Sequence, residues 1–168
     1  MHPLAYRLGF SGLAPFFFYG AQHAPPSSKK PWGDSYLIRA GLGALAARDQ
    51  ATVRRRFSTY SLSILSFLGA VHMGSALTHS PSTLKTRAML AWSVCPSLIA
   101  WGAVNLPEDN PVVPPRAAYM VLSAGFLAAL VADRAAGLPA WYLRMRVPLT
   151  ALVLGSHAVA IALPCVNV

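Results

Sequence analysis

Acidic side chains are what this chain has least of: 5 Asp plus Glu in 168 residues, against 14 Lys plus Arg. Charged residues of both signs make up only 11%, where soluble domains carry about a quarter. That scarcity excludes the charged surface of an ordinary water-soluble domain. It also removes paired-carboxylate catalysis, because Asp133 is the only acid beside an apolar run. Cysteine is nearly absent. Cys95 and Cys165 are too few for a disulfide framework and lack metal-ligand spacing. Both sit in apolar runs and read as buried free thiols. There is no phosphate-binding loop, no nucleophile elbow and no HExxH. The sequence therefore predicts no enzyme, no cofactor and no metal. A cleavable signal is missing too: Arg7 lies inside the first apolar stretch and no small-residue cleavage site follows, so that stretch reads as a retained span.

What the chain has is apolar length. Hydrophobic residues reach 55% and mean hydropathy is +0.46. A membrane helix needs roughly 20 apolar residues. Five stretches qualify: 4–21, 57–78, 87–106, 117–132 and 147–163. None alternates as a barrel strand does, and only helices or closed barrels satisfy the backbone in lipid. The expected fold is an all-α polytopic membrane bundle, a single domain of about five transmembrane helices. Residues 22–56 form the one long connection. Pro25, Pro26 and Pro31 keep its first part out of helix. Leu37, Ile38, Leu42 and Leu45 then recur near helical spacing, as in a short amphipathic helix lying on a surface.

The basic residues fall between the apolar runs, so the excess charge points to an anionic membrane surface and not to nucleic acid. Arg48, Arg54, Arg55 and Arg56 cluster before the second span. They suit anionic headgroups such as cardiolipin, or simply orient the next helix. With five spans, one side carries eight basic residues, Lys29 and Lys30 among them, and the other six. The bias places the 22–56 loop on the cytoplasmic or matrix side.

The second span contains "SLSILSFLGAVHMGSALTH", residues 61–79. At 100° per residue, Ser63, Ser66, Ala70 and Gly74 share one face, a small-residue stripe that admits a close neighbour. Ser61, Leu65, Gly69, His72, Ala76 and His79 share another, so His72 turns toward protein. Intramembrane ionisable groups are functional candidates by default. Three readings of His72 stand open: a hydrogen-bonded clamp between helices, a proton or small-solute site, and a haem or metal ligand with His157 as second ligand. The last is strained, because the span boundaries put the two histidines at different depths. Asp133 is placed to pair with Arg144 across the last connection, as a clamp or a substrate charge site. Pro96 predicts a kink in the third span, relieved by Ser93 or Ser97.

The stretch from Tyr60 to Leu77, "YSLSILSFLGAVHMGSAL", resembles the signature of the transmembrane protein 69-like family. Tyr60, Ile64 to Gly69, His72 and Gly74 match, and Met73 stands where that family has tryptophan. "LGFSGLAPFF", "SVCPSLIAW" and "WYLRMRVPLT" resemble its other spans. The resemblance covers most of the chain outside residues 22–56. It implies five membrane helices in a bacterial or mitochondrial protein and brings no activity or catalytic residue. The resulting expectation is a non-catalytic accessory subunit of a mitochondrial inner-membrane complex, respiratory or ATP synthase. It would pack against other membrane subunits and anionic lipid, with the long loop on the matrix side. The alternative is a small transporter or lipid-handling protein with a site around His72.

Overall fold

The computed structural model describes residues 10–17, 50–78, 83–106 and 116–162. They form a helical bundle: α1 (Gln50–Leu77), α2 (Leu84–Val104), α3 (Ala117–Ala135) and α4 (Ala140–Ala162). Residues 10–17 add a short helical stretch interrupted by a turn at 12–13. Among the described residues these four helices are long and apolar enough to cross a membrane, the shortest being 19 residues. The protein is an integral membrane protein. The first expected span is described only at residues 10–17. The 22–49 part of the loop, with Arg48 and the amphipathic segment, lies outside the described residues, as do His79 and Cys165.

The bundle sets its polar groups within an apolar core and is apolar outside. Ser61, His72, Thr86, Ser93, Asp133, Arg146, Thr150 and His157 are buried. Phe67, Leu98, Trp101 and Val131 are exposed. In water that arrangement would be unstable, but lipid offers no penalty for exposed leucine. Each helix turns a heptad-like stripe inward. On α4 it runs Arg146, Thr150, Val153, His157, Ala160, and on α3 it runs Tyr119, Leu122, Phe126, Ala129, Asp133.

The contact between α1 and α2 is the most extensive of the bundle, and α3 touches α1, α2 and α4. Gly69 explains the first: a Cβ there would run into the carbonyl oxygen of Ser93 on α2. Residues 10–17 dock through Phe16, which meets Phe57, Tyr60 and Phe126 edge-on at centroid distances of 5.7, 5.1 and 6.3 Å. The Tyr60 hydroxyl donates to the Gly12 carbonyl.

Helix ends follow the local chemistry. Thr83 caps α2, its hydroxyl accepting from the Thr86 amide at 3.1 Å. α3 closes on Gly137 at φ +69. The Gly137 amide donates to Arg134 O at 3.0 Å and the Leu138 amide to Asp133 O at 3.3 Å, a Schellman motif. Pro139 then starts α4, its carbonyl accepting from the Tyr142 and Leu143 amides.

Three expected boundaries are corrected here. The fourth span runs three residues past 132, taking Asp133 inside it, because the stop signal is Gly137 and not the Asp133–Arg134 charge pair. The last span begins at Ala140 and not at 147, because Pro139 is its starting proline while Pro148 lies within the helix. The second helix likewise starts upstream, so Arg54, Arg55 and Arg56 lie on α1 itself. Ser93 does not relieve Pro96: its hydroxyl donates to Leu90 O at 2.7 Å, two residues before the freed Trp92 carbonyl.

Candidate functional site

Two histidines are buried in the bundle, at opposite ends of it. Ser61, which binds one, precedes the other, His72, by roughly 16 Å along α1 at 1.5 Å per residue. They do not face a common ligand, and the stagger expected from the sequence separates them.

The hydrogen bonds of His157 are complete. Ser61 Oγ donates to Phe57 O at 3.0 Å, so its lone pair is what meets His157 Nε2 at 2.9 Å. Nε2 therefore carries the proton. Nδ1 is then bare, and it accepts from Ser123 Oγ at 2.9 Å. Phe16, Phe57, Tyr119 and Phe126 surround the ring at centroid distances of 5.3 to 6.1 Å. A neutral imidazole with both nitrogens bonded and no exposed surface is a packing element.

His72 differs in kind. Its Nδ1 is 3.4 Å from the Leu68 carbonyl oxygen, and its Nε2 is 3.5 Å from Asp133 Oδ1. Both ring nitrogens face acceptors. A neutral imidazole has one N–H, so one of these contacts is always repulsive unless a second proton is present. At 3.5 Å the His72–Asp133 contact is too long for a good hydrogen bond, and both atoms lack a hydrogen-bond partner among the described residues.

Asp133 is held from the other side by Arg146. Nε donates to Oδ2 at 3.0 Å, and Nη1 donates to Thr150 Oγ1 at 3.0 Å. Asp133 is 0% exposed, His72 1% and Arg146 4%. Such a pair is stable in a dry interior only when its geometry and hydrogen bonds are good. Here Arg146 is close to satisfied and His72 is not. A cavity of about 310 Å³, lined by His72, Lys85, Met89, Trp92, Ala132 and Ala136, joins His72 to the end of the bundle where α3 turns into α4. Trp92 Nε1 on its wall is also buried and unbonded.

Asp133 does not pair with Arg144, as its sequence position had indicated. Once α4 starts at Ala140, Arg146 falls on the buried stripe, and Arg144, two residues earlier and about 200° round the helix, is exposed. Gly69 and His72 face the core, whereas Ser63, Ala70 and Gly74 are exposed and Ser66 is half-buried, so none of the described helices covers that stripe. A Cβ at Gly74 would meet nothing within 4 Å. Arg55 is exposed, and Arg54 and Arg56 are half-buried; the Arg54 carbonyl accepts from the Tyr119 hydroxyl at 3.3 Å. Arg146 and Thr150 were missed in the sequence reading, although their spacing to Val153 and His157 carries the signal once the helix start is placed correctly. Among the described residues, no three of His, Cys, Asp and Glu gather as ligands for one ion.

No curated protein and no solved structure matches the chain. A family model does match, over residues 1–162, and by that match the chain belongs to the family described as protein of unknown function (DUF3429).

Proposed function

We propose that this is a small membrane transport protein whose working group is His72, taking up a proton between the Leu68 carbonyl and the Asp133 carboxylate. The observation that carries this reading is the pair of acceptors facing one imidazole on the wall of a cavity. With a second proton the ring satisfies both. Without it, one contact is repulsive, and the tautomer decides whether the Leu68 carbonyl or Asp133 loses its N–H. Binding and losing a proton therefore changes how firmly α1 is tied to α3. That is the kind of bistable element a carrier needs. The charged groups around the ring are Asp133 on α3, Arg146 on α4 and Lys85 on α2, the last lining the cavity.

The test is proton flux into vesicles holding the purified full-length chain and an internal pH dye, driven by a potassium diffusion potential. Flux above protein-free vesicles is expected, abolished by His72→Gln and retained in Ser123→Ala, which touches only the other histidine. Equal flux in His72→Gln, or none in the wild type, sinks this reading.

A second reading has its own observation. The Ser63, Ala70 and Gly74 stripe is exposed, with open space above Gly74, a surface suited to a helix of another subunit. On this reading the chain is a non-catalytic accessory subunit of a mitochondrial inner-membrane complex, a respiratory complex or ATP synthase. Arg54, Arg55 and Arg56 would meet cardiolipin on the matrix side, in line with the resemblance to the transmembrane protein 69-like family. Native-gel migration with a large complex is the expected result. Migration alone in mild detergent removes it.

A further inference from the structure

The charged cluster has a second side. Arg146 and Tyr142 line a separate cavity of about 190 Å³, enclosed by residues 12–16, α1 and α4. Its remaining walls are apolar and include Phe16, Ile64, Leu68, Leu149 and Val153. The His72 cavity and this one share no lining residue. Asp133 joins them chemically, one carboxylate oxygen facing His72 and the other holding Arg146.

The guanidinium of Arg146 is committed on two of its three nitrogens, Nε to Asp133 and Nη1 to Thr150. Nη2 is buried and has no partner among the described residues. The Tyr142 hydroxyl, one turn earlier on α4, lies beside the guanidinium and its oxygen can accept from it, but its own buried proton meets no acceptor among the described residues. Two buried donors in the wall of an otherwise apolar cavity are costly unless something brings them an acceptor. Phe67 on the rim is 66% exposed on the outer surface of α1. The opening therefore faces the hydrocarbon and not the aqueous ends of the bundle.

We propose that this cavity binds an amphipathic carboxylate drawn from the bilayer, of the long-chain fatty-acid type. The carboxylate accepts from Arg146 Nη2 and the Tyr142 hydroxyl. The first part of the acyl chain lies against Phe16, Ile64, Leu149 and Val153, and the rest leaves past Phe67 into lipid. A two-oxygen head matches two donors, whereas a phosphodiester with its glycerol would bring polar atoms that the apolar walls cannot satisfy. The charges also agree. Asp133 balances Arg146, a proton on His72 adds one positive charge, and one carboxylate restores neutrality. That last step rests on the proton reading above, while binding at Arg146 and Tyr142 does not.

The experiment uses the full-length protein in phosphatidylcholine nanodiscs and a long-chain fatty acid bearing a photoreactive diazirine. Label is expected in the peptides holding residues 12–16, 64–71 and 145–153. Excess oleate displaces it, and oleyl alcohol, with the same chain and no carboxylate, does not. Tyr142→Phe weakens oleate competition about 10-fold, the loss of one hydrogen bond to a charged group. Leu149→Trp, which fills the cavity, removes the label. Equal displacement by oleate and oleyl alcohol would mark the label as ordinary lipid contact and overturn the proposal, as would labelling unchanged in both variants. Proton flux that depends on His72 without site labelling overturns this inference alone. Site labelling without flux leaves it standing and removes the transport reading.

Discussion

Removing one partner of the Asp133–Arg146 pair should cost far more than removing both. The two groups are held at 3.0 Å with 0% and 4% exposure. With charge centres about 4 Å apart and an effective dielectric of about 20, their attraction is about 4 kcal/mol. Arg146→Met strands a carboxylate whose other oxygen faces only His72 at 3.5 Å. Breaking a buried pair from one side costs about 3–5 kcal/mol. Asp133→Leu strands the guanidinium, which still has Thr150, so its cost should sit at the lower end of that range. The double variant Asp133→Leu/Arg146→Met removes both charges at similar volume and should be near neutral, within about 1 kcal/mol of wild type or more stable. The coupling energy is then several kcal/mol. The assay is unfolding by sodium dodecyl sulfate from mixed micelles, followed by tryptophan fluorescence, on all four proteins. Single variants that each cost under about 1 kcal/mol, with additive effects, would refute the reasoning. They would mean that water reaches the pair and the interior is not dry.

Four further outcomes follow from the packing. Gly69→Ala drives a methyl into the Ser93 carbonyl and should destabilise by about 1–3 kcal/mol; Gly74→Ala on the exposed stripe meets open space and should gain up to about 1 kcal/mol of helix propensity, both read by the same titration. Ser123→Ala leaves His157 Nδ1 without its 2.9 Å donor and should cost about 1–3 kcal/mol in that titration. Gly137→Ala places a side chain at φ +69 and should cost about 1–2 kcal/mol, seen as faster amide exchange at Gly137 and Leu138.

The bundle itself was legible because lipid leaves the backbone few choices. Apolar length alone marked the four helices, and the helical wheel put Ser61, Leu65, Gly69, His72 and Ala76 on one face of α1, the face that is buried. The site was less legible because the apolar run of the last span begins well after the helix does. Read from residue 147, the helix leaves Arg144 and Arg146 in the connection, where Arg144 was the partner expected for Asp133. Read from Pro139, it fixes Arg146 inward and Arg144 outward. The deciding signal was "AGLPA", where Gly137 closes one helix and Pro139 opens the next. The small-residue stripe shows the opposite failure. Ser63, Ala70 and Gly74 have the composition of an interface, but composition does not say whether the neighbour belongs to the same chain.

The two histidines differ in their hydrogen bonds and not in their burial. Both rings are essentially inaccessible, and both lie on inward stripes. His157 has a donor for its acceptor nitrogen and an acceptor for its donor nitrogen, so one tautomer fits and nothing is gained by changing it. His72 has two acceptors, one a carboxylate whose second oxygen already belongs to an arginine. A purely structural cluster at that place would be better built from apolar residues, since buried ion pairs contribute little net stability. His72, with two acceptors before it on the wall of a cavity, is the arrangement on which the transport proposal rests.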